Sequence, residues 1–245
     1  MPLTCITGHP AGQWTLVVPF KGGPGAKSRL GHAGHGGPGL RPDVRSGLAL
    51  AFLADTVAAA QAVPEVADIV IVSSDPAVLT AIPDIVLVAD PGAGLNAAVA
   101  AGVEWARVQA PHCPVAALTG DLPCLLPLDL AAGLGAAAQH PRALVPDRDG
   151  TGTTMITALP GRELIPRFGP GSCEAHTRAG HVPLPVLAAS TLRLDVDTVQ
   201  DLNRALHRGT GDHTRSTMLQ PPPRAYGTHY ASGPTPPSAL TAAAV

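Results

Sequence analysis

Short apolar runs alternate along this chain with longer segments whose apolar residues return at helical spacing. Residues 14–19 (WTLVVP) form an unbroken apolar run with β-branched members, as in a strand buried on both faces. Between residues 44 and 62, Leu48, Phe52, Leu53 and Val57 recur at helical spacing, and Pro64 stands just beyond; this predicts a helix. The alternation then becomes regular. Strands are expected at 68–73, 85–89, 115–119 and 143–145, and helices at 76–81, 95–108 and 127–139. Such β-α alternation predicts an α/β fold with a mostly parallel sheet and helices on both faces.

Past residue 150 the pattern loosens. A strand is expected at 153–158, a loop at 167–172 (RFGPGS), and a short helix opening at Ser172 or Cys173. A strand at 191–194 and a helix at 198–207, with Thr198 as its cap, complete the reading. Residues 1–13 read as an irregular leader and 14–208 as one domain. From residue 209 to 245, Pro, Ser, Thr and Ala dominate, including Pro221, Pro222 and Pro223. That composition predicts a disordered tail.

Charge narrows the function. Only 14% of residues are charged and the formal net charge is -2, so no basic face for nucleic acid is expected. No signal peptide and no apolar span of about 20 residues is visible, which predicts a cytoplasmic chain without a membrane partner. Cys5, Cys113, Cys124 and Cys173 have neither CxxC nor zinc spacing and read as free thiols. Of the 16 basic residues only Lys21 and Lys27 are lysines. Both lie in one glycine-rich loop after the first strand. Lysine is a compact point charge suited to phosphate, and arginine does not replace it.

That loop (KGGPGAKSRL) lacks the glycines of a P-loop. It still places Lys21, Lys27 and Arg29 outside the carboxyl end of a strand, where open α/β sheets bind ligands. Backbone N–H groups there can cradle a triphosphate while the cations neutralise it. Asp121, in GDLP after the strand at 115–119, can ligate Mg²⁺. Asp195 and Asp197 flank Val196, so on a strand both carboxylates would share one face and Val196 the other. Two like charges on one face favour a cation between them. DRDGTGT (147–153) and RFGPGS offer Thr153, Gly169, Ser172 and Arg167 to a small anion. His32 and His35 form an HxxH pair without identifiable further ligands.

Taken in order, these motifs are Lys21 with Lys27-Ser28-Arg29-Leu30, then Asp55-Thr56, then Gly94-Leu95-Asn96 with Ala98, then GDLP, GTGT, RFGPGS and DVDT. This order resembles the guanylyltransferases of coenzyme F-420 biosynthesis, over roughly residues 14–208. The chain departs from them in its Gly/His-rich loop after Leu30 and in one extra residue between GTGT and RFG. The resemblance implies a Rossmann-like nucleotidyltransferase fold. It also implies transfer of GMP from GTP to phosphoenolpyruvate or 2-phospho-L-lactate, with Mg²⁺ and release of pyrophosphate. The Ala/Arg-rich composition associates the chain with actinobacterial members and so with phosphoenolpyruvate. The product would pass to the next enzyme of the pathway. By the same resemblance Thr153, Gly169 and Ser172 hold the acceptor, and Asp121, Asp195 and Asp197 hold metal. Lys21, Lys27 and Arg29 would stabilise the leaving pyrophosphate, and Asn96 is expected to read guanine. Rival readings are another nucleotidyltransferase, a GDP-sugar glycosyltransferase using DVD as a DxD motif, and a non-catalytic nucleotide-binding regulator.

Overall fold

Strands that are apolar on both faces need a helical layer on each side, and the chain builds one. The computed structural model describes residues 12–23, 25–31 and 39–219. Among these described residues seven strands form one sheet: β1 (Trp14–Pro19), β2 (Val66–Val72), β3 (Val86–Val88), β4 (Val115–Leu118), β5 (Arg142–Pro146), β6 (Thr153–Ala158) and β7 (Val182–Pro183). Their order is β3-β2-β1-β4-β6-β5-β7. The β1–β2, β1–β4, β2–β3 and β5–β7 pairings are parallel, and only β6 runs against its neighbours. The helices are α1 (Pro42–Gln61), α2 (Ala77–Ala81), α3 (Leu95–Gln109), α4 (Pro127–Ala137), α5 (Ser172–Arg178), α6 (Val199–Arg208) and α7 (Asp212–Leu219).

The strand alternation sorts residues between the two faces. Leu16, Val18, Ile69, Ile71, Ala116 and Leu118 pack with Leu53 and Val57 of α1 and Leu130 and Leu134 of α4. Val17, Val70, Val72, Val115 and Ala117 point the other way, to Ala98, Val99 and Ala106 of α3. Burying each such large side chain stabilises the fold by about 1.5–3 kcal/mol. The expected α/β architecture with helices on both faces is the one observed.

Two elements differ from the sequence reading. Residues 191–193 form a 3-10 turn rather than a strand. The Asp129 carboxylate accepts from the amide and hydroxyl of Thr191, and the Ser190 hydroxyl accepts from the Leu192 amide at 3.3 Å. These side-chain bonds satisfy the local backbone donors that a strand ladder would otherwise take. Nor does the chain fall into disorder at residue 209. Helix α7 packs along α1, and the Asp55 carboxylate accepts from the amides of His213 and Thr214 at 2.9 Å each. A carboxylate from a distant helix thus supplies the N-terminal cap that the local sequence lacks. The leader up to residue 11, His32, His35 and the tail from residue 220 lie outside the described residues.

Candidate active site

The strand order reverses around β1, with β2 on one side and β4 on the other. The carboxyl ends of β1 and β4 therefore open a crevice at the switch point. The lysine loop leaves β1 here, and GDLP leaves β4. Because β6 is antiparallel, its first residue, Thr153, comes to the same edge, and the Thr119 amide bonds the Thr154 carbonyl at 2.9 Å. One edge of the sheet thus receives three of the motifs.

GDLP is held from below. A Cβ on Gly120 would lie 2.8 Å from Leu53 Cδ1 and 3.1 Å from Val18 Cγ1, so only glycine lets the turn sit this close to the core. The Thr56 hydroxyl donates to the Phe52 carbonyl at 2.8 Å and accepts from the Leu122 amide at 3.1 Å. The Val196 amide donates to the Asp121 carbonyl at 3.0 Å, which ties DVD to GDLP. Val196 is buried with Phe52, Cys124 and Leu202, while Asp195 and Asp197 stay partly exposed on either side of it. Below them, Thr198 opens α6 through a capping box with Asp201.

Charge converges at this point. Lys27 Nζ bonds Asp121 Oδ2, and lies 3.0 Å from Asp197 Oδ1. Arg29 reaches Asp197 Oδ2 at 3.3 Å from a more exposed position. Lys27 has φ of 48°, a left-handed conformation uncommon outside glycine. Burial acts to lower the Lys27 pKa, but the Asp121 and Asp197 carboxylates overcome it and the ammonium is held above its ordinary range. Asp195 is pushed the other way. Burial first, then repulsion from Asp121, Asp197 and Asp147, raises its carboxyl well above the usual carboxylate range. Lys21 stands exposed at the mouth of the loop.

Residues of this cluster line two cavities. One of about 250 Å³ is lined by Phe20, Lys21, Lys27, Leu95, Thr119 and Asp121. The other, of about 260 Å³, is lined by Arg29, Asp147, Arg148, Thr151, Asp195 and Asp197. The chemistry of the donor set fits a hard divalent cation, which takes carboxylate oxygens. Asp121 Oδ1 is buried without a hydrogen-bond partner, and a cation is the partner such an oxygen accepts. As the side chains stand, the described residues gather no three acidic, His or Cys groups around one point. The Lys27 ammonium lies between Asp121 and Asp197 instead.

The expected acceptor residues also assemble. The Ser172 hydroxyl donates to the Thr153 hydroxyl at 3.2 Å, and the Ser172 amide bonds the Gly169 carbonyl at 3.1 Å. Gly169 and Gly171 have φ of 138° and 71°, conformations that L side chains resist, so the loop entering α5 needs both. Arg167 adds an exposed guanidinium at the start of this loop and donates to the Pro166 carbonyl at 3.3 Å.

Asn96 has a different place from the one expected. Its Oδ1 accepts from the Phe168 amide at 2.7 Å and its Nδ2 donates to the Phe168 carbonyl at 3.1 Å. The amide edge expected to read guanine is thus engaged with backbone, and Asn96 clamps the 167–172 loop to the start of α3. The sequence reading gave no role to three supporting residues. Thr56 holds GDLP. Arg193 bonds the Asp147 carbonyl at 3.1 and 2.7 Å and fixes the DRDG turn. His176, fully buried, bonds Thr153 Oγ1 at 3.0 Å. The Asp-Thr pair in α1 was visible as a motif, but its roles require contacts distant in sequence. Cys113, Cys124 and Cys173 are free thiols, as expected, and no helix among the described residues is long and apolar enough to cross a membrane.

Known proteins are similar to this chain. Over 211 residues the chain is 49% identical to the phosphoenolpyruvate guanylyltransferase of Streptomyces coelicolor, covering 85% of this chain and 97% of that protein. The Streptomyces scabiei protein of the same name is 48% identical over 215 residues, with 85% and 97% covered. A crystal structure of 4-diphosphocytidyl-2C-methyl-D-erythritol synthase superposes with a TM-score of 0.54 at 14% identity, covering 80% of this chain and 98% of that one. It shares the α/β nucleotidyltransferase fold. The family described as "Guanylyl transferase CofC like" matches residues 14–220, and with relatives this similar over most of its length the chain belongs to the CofC-like guanylyltransferase family.

Proposed function

We propose that the protein transfers GMP from GTP to phosphoenolpyruvate, releasing pyrophosphate and forming enolpyruvyl-diphospho-guanosine, in coenzyme F-420 biosynthesis. The observation that carries this reading is the convergence of Lys27, Asp121 and Asp197 between two cavities, with the Thr153–Ser172 pair at the same sheet edge. The family and the names of its relatives supply the nucleotide and the acid.

In this reading a phosphate oxygen of the acceptor attacks the α-phosphorus of GTP in line. The bond from the α-phosphorus to its bridging oxygen breaks, and pyrophosphate leaves. The acceptor phosphate is already ionised, so no general base and no covalent enzyme intermediate are required. The protein's task is positioning and charge neutralisation. Lys21, Lys27 and Arg29 hold the phosphates and balance charge on the leaving pyrophosphate. Thr153, Gly169 and Ser172 hold the acid. Asp121, Asp195 and Asp197 would hold Mg²⁺, which when bound supplies charge neutralisation and a template for the two phosphates.

The test is pyrophosphate release by purified protein with GTP and Mg²⁺, comparing phosphoenolpyruvate, 2-phospho-L-lactate and no acid. The product is trapped by coupling to the next pathway enzyme. Release that depends on phosphoenolpyruvate is expected. Release that depends instead on 2-phospho-L-lactate replaces the acceptor, and release with neither acid removes the reading.

A further inference from the structure

His176 occupies a position that its hydrogen bonds define closely. It lies on α5, fully buried, with the Phe168 ring 4.9 Å away at 76° and the His181 ring 5.6 Å away at 69°. The Arg167 amide donates to its Nε2 at 2.8 Å. A backbone amide can only donate, so Nε2 carries the lone pair and the ring proton sits on Nδ1. Nδ1 is 3.0 Å from Thr153 Oγ1. Burial, reinforced by His181 and Arg167, lowers the His176 pKa to about 4, and a hydrogen bond to the Ser172 backbone opposes this only in part. The ring is neutral at ordinary pH, which the tautomer requires.

The consequence lies in the proton count of the neighbouring hydroxyls. Thr153 and Ser172 together carry two O–H protons, and one is used in their mutual bond. With the ring proton on Nδ1, shared between the Ser172 carbonyl and Thr153 Oγ1, Nδ1 cannot accept from Thr153, and the second hydroxyl proton remains for another acceptor. With the opposite tautomer, Thr153 would donate to Nδ1, Ser172 to Thr153, and the pair would have nothing to give an anion. We propose that His176 is a positioning residue for the acceptor: fixed as the Nδ1–H tautomer by the Arg167 amide, it leaves the Thr153–Ser172 pair with a proton to donate to an anionic acid. The inference rests on the reading that this pair contacts the acceptor.

The experiment compares His176→Asn and His176→Gln by steady-state kinetics with GTP, Mg²⁺ and phosphoenolpyruvate. Asparagine keeps an N–H where Nδ1 stands. Glutamine reaches the Nε2 place but has no donor near Thr153. His176→Gln should raise the KM for the acid about tenfold, as loss of a hydrogen bond to a charged ligand does, with the KM for GTP within about twofold. His176→Asn should recover most of that loss, and adding His176→Gln to Thr153→Val should cost nothing further. Equal KM changes for acid and GTP, equal losses in both variants, or independent losses in the double variant overturn the inference. Should the variants fail to fold, the ¹⁵N shifts of the His176 ring in the wild-type protein decide: a proton on Nε2 overturns the proposal, and one on Nδ1 is expected. A wild-type protein inactive on every acid would instead remove the proposed function, and the ring shifts would still decide the tautomer.

Discussion

At the residue scale, the site works through a small number of charges placed against one another. Lys27 bonds two carboxylates, and Asp121 keeps one buried oxygen without a protein partner. Asp121→Asn removes charge at that point while preserving shape. Turnover should fall on the order of 100-fold or more, as when a preorganised electrostatic contact is lost, and a rate within about twofold of wild type at saturating Mg²⁺ contradicts the assignment. Lys27→Arg keeps the charge but brings a wide planar fork into a narrow place between two acids, so kcat/KM for GTP should drop about tenfold. His176 gives a stability prediction with a definite sign. Its folded pKa, about 4, lies below the unfolded 6.5 because burial disfavours the imidazolium. Above 6.5 its contribution is fully present. As pH falls from 6.5 towards 4 the unfolded chain takes up a proton that the folded ring refuses, and stability declines by up to about 1.4 kcal/mol per pH unit. Denaturant titrations at several pH values should show the stability gap between wild type and His176→Asn narrowing across that window; a constant gap contradicts it. The residues that converge here, Lys27, Asp121 and Asp197, were legible because the two lysines of the chain share one glycine-rich loop and the aspartates fall at strand ends or in DVD. An amide such as Asn96 reads equally as a base contact or a backbone clamp in sequence, and the Phe168 contacts show the clamp. His176 gave no signal, since it lies in an ordinary polar helix and its partners are distant in sequence.

At the element scale, helix ends and loops hold the residues of the candidate site in place. The α6 capping box holds the segment that ends in Asp197, so Thr198→Ala should lower stability by about 1 kcal/mol, seen as a lower urea midpoint with unchanged slope. Helix α7 depends on Asp55. Asp55→Ala leaves two amides without their acceptor and should destabilise by about 1–3 kcal/mol. Amide exchange in α7 should quicken first; protection unchanged there would show that α7 is held by packing alone. Strands β1 to β6 could be read because buried strands leave apolar runs. The 3-10 turn at Thr191–Arg193 was mistaken for a strand because its apolar and polar residues alternate, and the Asp129 carboxylate that decides its shape is far away in sequence. β7 has two residues, too few for any period to show. α7 reads as a polar continuation of the tail until the Asp55 cap is seen.

At the scale of the whole molecule, the sheet order explains why residues 94 to 170 apart in sequence come together. β1 and β4 are neighbours around the switch point, and the reversed β6 returns the GTGT strand to the same edge. Alternation along the chain foretold the layers, but not this order: the reversal of β6 depends on pairing partners that periodicity cannot name. The order brings the lysine loop, GDLP and the GTGT strand to one edge of the sheet, which is the placement the proposed in-line transfer would use. The most direct test follows a label from the α-phosphate of GTP with phosphoenolpyruvate and Mg²⁺. The account predicts that the label enters a diphosphate-linked product only when the acid is present, and that Asp121→Asn all but abolishes this. Label that stays in GTP, or that moves equally well without the acid, would contradict it.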